Sequence, residues 1–388
     1  MKKIICLILS LLNYEYLLAQ YIHDSVYVQS EFRYYNVHVP VNYNGFSNLP
    51  LVLGFHGGGN LGWGNLDYYS EFKNKSDSAE FLLIFPEGKK YTSSMFYGWN
   101  AGTCCYPNST NNSDDIGFVN ILLDTLLHHF NIDTNKIYAF GNSAGGMFSL
   151  RLACEMSQRF AAIGVSNGTQ TFYPCNPLRA VPIINIHSLA DSVVFFTGGI
   201  GNQSVVYGVN LISQDSLTKF WQALNYCQTS DTIHNGGDTS FTFIQTHNCD
   251  CSEITFDNYF TSDGGHTWSG GPPTGSTSVS NQISSTELMW DFFANHTLHE
   301  CEDTLINNQK LIIKKEISIF PNPATTKFTI NTTGNGLLSI YDLLGKKIFE
   351  KLIVNNSEQI SFQPSSNGVF IVKLINSEYI LEKKLFFF

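Results

Sequence analysis

The chain predicts an α/β fold with a mostly parallel sheet, followed by a small all-β sandwich, and three observations lead there. Short continuous apolar runs at 51–55, 81–85, 137–140, 161–165 and 181–186 have the length and uniform hydrophobicity of strands buried on both faces. Helix-compatible stretches at 115–130, 144–158, 211–225 and 281–295 alternate with or follow these runs, as parallel βαβ units require. From about Glu316 the pattern changes to short strands at 317–320, 327–330, 337–341, 347–353, 359–362 and 369–375, with Asn, Gly and Pro between them.

The elements follow in chain order. Lys2 and Lys3 precede an apolar core over Ile4 to Leu12 and then Leu17-Leu18-Ala19-Gln20, the layout of a cleaved secretory signal peptide over residues 1–19. The apolar run is short and is broken by Asn13 and Glu15, which argues against a membrane anchor, and no later run is long enough to span a bilayer. Tyr34 to Val39 alternates polar and apolar residues, so it predicts an antiparallel edge before the parallel strands. These patterns assign residues 20–301 to the α/β domain, 302–315 to a polar and then basic linker, and 316–388 to the β-domain.

A formal charge of -10 supplies no basic stripe to neutralise phosphates, so nucleic acid is not expected as a partner. Charged residues make up only 14% of the chain, a composition suited to neutral and polymeric extracellular ligands. The cysteines after the leader are Cys104, Cys105, Cys154, Cys175, Cys227, Cys249, Cys251 and Cys301, an even set that reads as disulfides in an exported protein. Cys249-Asp250-Cys251 near His247 lacks the spacing and the second ligand pair of a zinc site, and no metal is expected.

Gly141-Asn142-Ser143-Ala144-Gly145 lies between an apolar strand and a helix-like stretch, where a sharp turn lifts a serine hydroxyl out of the backbone. The chain holds the same pattern again at Gly164-Val165-Ser166-Asn167-Gly168, but there it leads into a turn-rich loop. Ser143 is therefore the candidate nucleophile, and Ser166 the end of a core strand. A serine needs a base, and the base needs a carboxylate to fix its tautomer. With a serine on such an elbow the acid and the histidine follow later in the chain. Asp191 directly follows the 181–186 strand, at the sheet edge where α/β sites form. Its structural alternative is a turn aspartate. His266 in Gly264-Gly265-His266-Thr267-Trp268 is the candidate base, with a loop histidine packed on Trp268 as its alternative.

Backbone N–H donors for an oxyanion are expected from Ala144 and from Gly57 or Gly58, in the triple-glycine loop after the 51–55 strand. That loop also matches G-x-G-x-x-G at Gly57, Gly59 and Gly62, but Pro86 precedes the first acid after the next strand, and no nicotinamide cofactor is expected. Trp99, Tyr97, Trp63 and Trp268 are candidates to line an aromatic pocket, with ordinary core packing as the alternative for each.

Residues 51–59, 98–105, 114–118, 141–146, Ala190-Asp191 and 264–268 together resemble the esterase/polyhydroxybutyrate depolymerase group of α/β-hydrolases, which includes feruloyl and acetylxylan esterases of carbohydrate esterase family one. The likeness spans residues 30 to 297 and implies Ser143, Asp191 and His266 as a triad without a cofactor. Departures at the acid-bearing turn, His187-Ser188 and Ser192, bear on pocket shape and hence on substrate. Phe320-Pro321-Asn322-Pro323-Ala324, residues 340–346, residues 367–373 and Lys383-Lys384-Leu385 resemble the type A sorting domain of the type IX secretion system, which implies passage across an outer membrane. A carbohydrate-binding module is the rival reading of this tail. The whole predicts a secreted or cell-surface serine carboxylic-ester hydrolase acting on plant polysaccharide esters. Polyester depolymerase, serine peptidase and non-catalytic adhesin are the alternatives.

Overall fold

Apolar residues alternate between two cores along the central strands, and this double burial organises the first part of the chain. Leu51, Leu53 and Phe55 enter one core with Phe118, Leu122, Met147 and Trp221. Val52 points the other way, joining Leu66, Phe72, Phe140, Met289 and Phe293. A sheet covered by helices on both faces satisfies both sets.

The computed structural model describes residues 21–298 and 317–387, apart from residues 60–61, 91–95, 203–205, 226, 237–240, 250–254, 274–277, 323, 325–326, 333–335, 343–345, 354–356, 363, 365–367 and 376–379. The expected leader, the expected linker, Asp250, Cys251 and Cys301 lie outside the described residues. By its internal contacts the chain divides into two units, Met1–Glu302 and Asp303–Phe388.

In chain order the first unit comprises β1 (Ile22–Val28), β2 (Glu31–His38), β3 (Leu49–Phe55), α1 (Gly62–Ser70), α2 (Phe72–Ala79), β4 (Leu82–Pro86), β5 (Lys89–Lys90), β6 (Tyr97–Gly98), α3 (Asp115–His129) and β7 (Ile132–Asn142). It continues with α4 (Ala144–Glu155), β8 (Ala162–Ser166), β9 (Ile183–Ser188), β10 (Gly199–Ile200), β11 (Asn210–Leu211), α5 (Gln214–Leu224), β12 (Cys227–Gly236), β13 (Phe241–Cys249), β14 (Thr255–Thr261) and α6 (Ser285–Ala294). Ten strands form one sheet in the order β1-β2-β4-β3-β7-β8-β9-β14-β13-β12. Strands β4 to β14 in that order pair parallel. The β1-β2 hairpin at one edge and β13-β12 at the other pair antiparallel.

From β3 the chain crosses to β4 on one side and then returns to place β7 on the other. Such a reversal opens a crevice beyond the carboxyl ends of the two strands. Phe55 at the end of β3 pairs in register with Gly141 near the end of β7, so the glycine loop and the serine turn leave the sheet side by side.

The helices begin at residues that cap them. Asp114 accepts from the N–H of Gly117 at 2.9 Å, and the hydroxyls of Ser213 and Ser284 cap α5 and α6. Helices α1 and α2 and strands β12 to β14 were not among the expected elements. Gly62 and Gly64 weaken the helical signal of α1, α2 is largely polar, and β12 carries little apolar pattern beyond Cys227 and Ile233. Two disulfides join Cys104 to Cys105 and Cys154 to Cys175, and Cys227 is also disulfide-bonded. Among the described residues no helix is long and apolar enough to cross a membrane.

The second unit contains β15 (Ile317–Phe320), β16 (Lys327–Thr332), β17 (Gly336–Tyr341), β18 (Lys347–Ile353), β19 (Ser357–Ser361), β20 (Gly368–Ile375) and β21 (Ile380–Phe387). A three-stranded sheet, β15-β16-β19, and a four-stranded one, β18-β17-β20-β21, share a core that includes Phe328, Ile330, Leu338, Ile340, Phe370, Val372 and Leu385. Strand β21 was not expected, because Glu382, Lys383 and Lys384 interrupt its apolar pattern. The Asn322 amide secures it, donating to the Lys384 carbonyl and accepting from the Phe386 N–H, each at 2.8 Å.

Candidate active site

Ser143 sits in the turn between β7 and α4 with φ 54° and ψ -120°, a backbone conformation few side-chain-bearing residues adopt. Its neighbours make the turn possible. A Cβ on Gly141 would lie 2.2 Å from the Gly145 carbonyl carbon, and one on Gly145 would lie 1.9 Å from the Phe55 carbonyl oxygen. Both glycines of the pentapeptide are thus demanded by contact between backbones. The Ser143 N–H donates to the Ser166 carbonyl at 2.8 Å and its carbonyl accepts from Met147 at 2.9 Å, so the turn is pinned to β8 and to its own helix. Ala144 opens α4, with its N–H at the positive end of the helix.

Ser166 is 1% exposed and closes strand β8, in keeping with its reading as a core position. The second pentapeptide therefore has no helix behind it.

Asp191 lies in the turn after β9 and makes two kinds of contact. Its Oδ1 accepts from the N–H groups of Val193 at 2.8 Å and Val194 at 2.9 Å, while Oδ2 lies 2.7 Å from His266 Nδ1. The turn-aspartate alternative and the acid reading thus describe two oxygens of one carboxylate. Burial alone would raise the Asp191 pKa. The hydrogen bond and charge of His266, with contributions from His187 and the Val193 N–H, outweigh it and bring the carboxyl below its ordinary value. His187 Nε2 donates to the Val194 carbonyl at 2.8 Å and lies 3.4 Å from Asp191 Oδ2; burial pushes this histidine down, against the pull of Asp191. It is therefore neutral near pH 7, and its hydrogen bond braces the turn.

His266 is reached through Gly264 and Gly265, with φ of 84° and 58°. Its ring is 19% exposed while the Asp191 carboxylate is fully covered, so one face of the pair is buried and the other opens to the cleft. That cleft, about 270 Å³, is lined by Ser143, His266, Gly57 to Gly59, Asn65, Tyr69, Asn142 and Trp268, among others.

The glycine loop is fixed from behind. His56 Nε2 accepts from the Gly88 N–H at 2.9 Å, which leaves Nδ1 protonated to donate to the Gly57 carbonyl at 2.7 Å. Complete burial pushes His56 down to about 4, so it stays neutral near pH 7. A Cβ on Gly57 would touch the Ser143 Cβ at 3.4 Å, which places this loop directly against the serine.

The aromatic candidates divide. Trp268 lines the cleft, and its indole N–H donates to the Thr286 hydroxyl at 3.0 Å. Trp99 does not reach the cleft: it is fully buried, stacks 5.1 Å from Phe148, and donates its indole N–H to the His56 carbonyl at 2.9 Å. Its position supports the glycine loop and leaves no face for a ligand. Trp63 packs on Tyr21 and Phe85, and Tyr97 pairs its backbone with Gly59; neither lines the cleft. Hydrophobic packing holds Trp63 against the second core, while the two-stranded ribbon holds Tyr97.

Sequence reasoning missed Tyr69, Asn65, Asn142, Thr267 and Pro272 as cleft residues. Tyr69 and Asn65 stand on a helix the pattern did not reveal. Asn142 and Thr267 flank the serine and the histidine, and adjacency alone was the available signal. Burial raises the Tyr69 phenol, so its hydroxyl is neutral beside Asn142.

Residues 318–387 match the family model described as a secretion system C-terminal sorting domain. Among curated proteins, a bifunctional acetylxylan esterase/xylanase of Neocallimastix patriciarum is 26% identical over 41% of this chain and 22% of its own length. Feruloyl esterase B of Piromyces equi is 26% identical over 49% of this chain and 35% of its own. A probable feruloyl esterase C of Aspergillus flavus is 26% identical over 67% of this chain and 83% of its own. The chain therefore spans well under half the length of the first two. Among solved structures, an acetyl xylan esterase from Aspergillus awamori aligns with TM-score 0.47 and 17% identity, over 71% of this chain and 99% of that one. The chain thus joins an α/β unit, similar in sequence to feruloyl and acetylxylan esterases, to a C-terminal unit that matches a secretion system sorting domain.

Proposed function

We propose that the first unit is a serine carboxylic-ester hydrolase that releases feruloyl or acetyl groups from plant polysaccharide after export. The observation that carries this reading is the Asp191–His266 pair at 2.7 Å, opening on the cleft that Ser143 also lines. In this mechanism His266 Nε2 takes the proton of Ser143 as Oγ attacks the ester carbonyl, and Asp191 stabilises the imidazolium. The oxyanion accepts from the Ala144 N–H and from a glycine of the Gly57–Gly58 loop, each donor contributing about 3 kcal/mol. His266 then protonates the leaving sugar oxygen. Water, deprotonated by the same nitrogen, cleaves the acyl-enzyme and restores Ser143. No metal or organic cofactor enters these steps.

The named relatives supply the acyl class, and the Trp268 and Tyr69 rings give the cleft an aromatic wall. The match of residues 318–387 to a secretion system C-terminal sorting domain supports export by the type IX machinery. Wild type should hydrolyse a short nitrophenyl ester, and Ser143→Ala should lose about 10⁴-fold or more of kcat. Equal rates for the two proteins would remove Ser143 from the mechanism. Acids released from feruloylated arabinoxylan and acetylxylan, compared with those from hydroxybutyrate polymer, then test the substrate class.

A further inference from the structure

We infer that Asn167, in the second Gly-Val-Ser-Asn-Gly pentapeptide, is a positioning residue whose amide holds the His266 loop against the Ser143 turn. The inference rests on the proposed roles of Ser143 and His266. It explains a motif that the catalytic reading leaves unused.

Asn167 has φ 50°, in the left-handed region that glycine occupies at least cost and asparagine tolerates. Glycine would meet that backbone demand alone, so the buried amide requires a separate reason. Asn167 is 2% exposed, and its backbone N–H is already used, donating to the Ile186 carbonyl at 2.9 Å. Its side-chain Nδ2 lies 2.8 Å from the Thr267 carbonyl, 3.2 Å from Asn142 Oδ1 and 3.2 Å from Ser166 Oγ. The Thr267 carbonyl only accepts, which fixes the amide with its NH₂ toward the loop.

One buried NH₂ group therefore spans three chain segments: the end of β8, the residue before Ser143 and the residue after His266. The last two flank the reacting pair. Buried hydrogen bonds of this kind resist displacement, because opening them strands a carbonyl away from water. The Gly264-Gly265 approach to His266 has left-handed φ at both glycines; the Thr267 hydroxyl on the Gly264 carbonyl and the Ser188 and Thr261 hydroxyls on the Asp263 carbonyl hold the loop locally but do not reach the Ser143 turn, so tying loop to turn takes a further restraint. Asn167 provides that restraint from the other side of His266.

The test compares full-length wild type, Asn167→Gly and Asn167→Asp on a nitrophenyl ester, with Ser143→Ala alongside. Glycine keeps the left-handed backbone and removes the amide; aspartate keeps shape and volume and puts an acceptor oxygen where the NH₂ met the Thr267 carbonyl and Asn142 Oδ1. Active sites are first titrated with a fluorophosphonate, so that rates are expressed per reactive serine. A loss of folded protein lowers the titre; a loss of positioning lowers the rate per titrated site. The expected result is a kcat about 10- to 100-fold lower per titrated site for both variants, with KM changed by less than about threefold. If either variant fails to fold, the other is measured by the same scheme, and a titre-corrected kcat equal to wild type in the folded variant overturns the inference. A reduced titre with an unchanged rate per site also overturns it, leaving a structural role only. A wild type that neither turns over ester nor takes up phosphonate would instead defeat the proposed function, an outcome separate from the other two.

Discussion

At the scale of single residues the serine turn is set by backbone crowding more than by side-chain chemistry. Gly145 is the sharpest case, because the Phe55 carbonyl that a Cβ would strike belongs to β3 and has no flexible end to yield. Gly145→Ala is therefore expected to push the turn away from the glycine loop. It should lose about 1–3 kcal/mol of stability through overpacking and about 100-fold in kcat through displacement of Ser143, measured by urea unfolding and ester hydrolysis. An alanine variant with wild-type kinetics would mean the two backbones can separate at no cost. The candidate site was legible where its residues are neighbours in sequence. The pentapeptide, the Gly-Gly-His stretch and the acid after a strand each announce themselves, because a turn, a close approach and a sheet edge all have residue preferences. Trp99 shows the other side. An indole next to a glycine-rich segment looks like a ligand wall, but only the fold reveals that its N–H is spent on the His56 carbonyl. Asn167 and Tyr69 act across elements, and no spacing rule reports such contacts.

At the scale of elements, strands buried on both faces were legible because a continuous apolar run has few other uses, whereas α1 and β12 carry mixed or polar patterns that tertiary pairing overrides. The contact that joins the edge hairpin to α3 is of the second kind. Arg33 on β2 meets Asp115 at 2.7 Å with both side chains buried, and its guanidinium lies 4.3 Å from the Phe118 ring centre. Asp115 also accepts from the Asn100 N–H at 2.7 Å and the Ser113 hydroxyl at 3.0 Å, so it gathers the loop before α3 as well. Removing one member strands a buried charge, while removing both does not. Asp115→Ala is expected to lose about 3–5 kcal/mol of stability, and Arg33→Met with Asp115→Leu should recover much of that loss. Urea unfolding of the two proteins checks this. A double variant as unstable as the single one would show that the loss comes from the hydrogen bonds of Asn100 and Ser113 to Asp115, which hold the loop before α3, and not from the ion pair.

At the scale of the whole molecule, buried titratable groups near the cleft couple the first unit's stability to pH, and two of them oppose each other. His56 is pushed down to about 4 by burial, so below its ordinary value of about 6.5 the unfolded chain takes a proton that the folded one refuses. Its contribution is present above that value and is lost as pH falls toward 4. Glu87 is pushed up to about 7 by burial, its carboxyl set against Gly62 at the start of α1. Here the sign reverses: the folded state holds a proton the unfolded chain gives up, so this contribution is present below the ordinary glutamate value and is lost as pH rises through 7. Over about pH 4.5 to 6.5 the folded chain carries one proton on Glu87 while the unfolded chain carries one on His56, and the two effects cancel. Glu87→Gln removes one side of that balance. The stability difference between variant and wild type should then grow in the variant's favour from pH 4.5 to pH 7, by about 2 kcal/mol after allowance for solvent screening of a partly exposed carboxyl. Groups common to both proteins drop out of the difference, so urea unfolding at several pH values isolates Glu87. A difference that stays constant across that range would mean the carboxyl is solvated in the folded state and that His56 alone sets the acid limb.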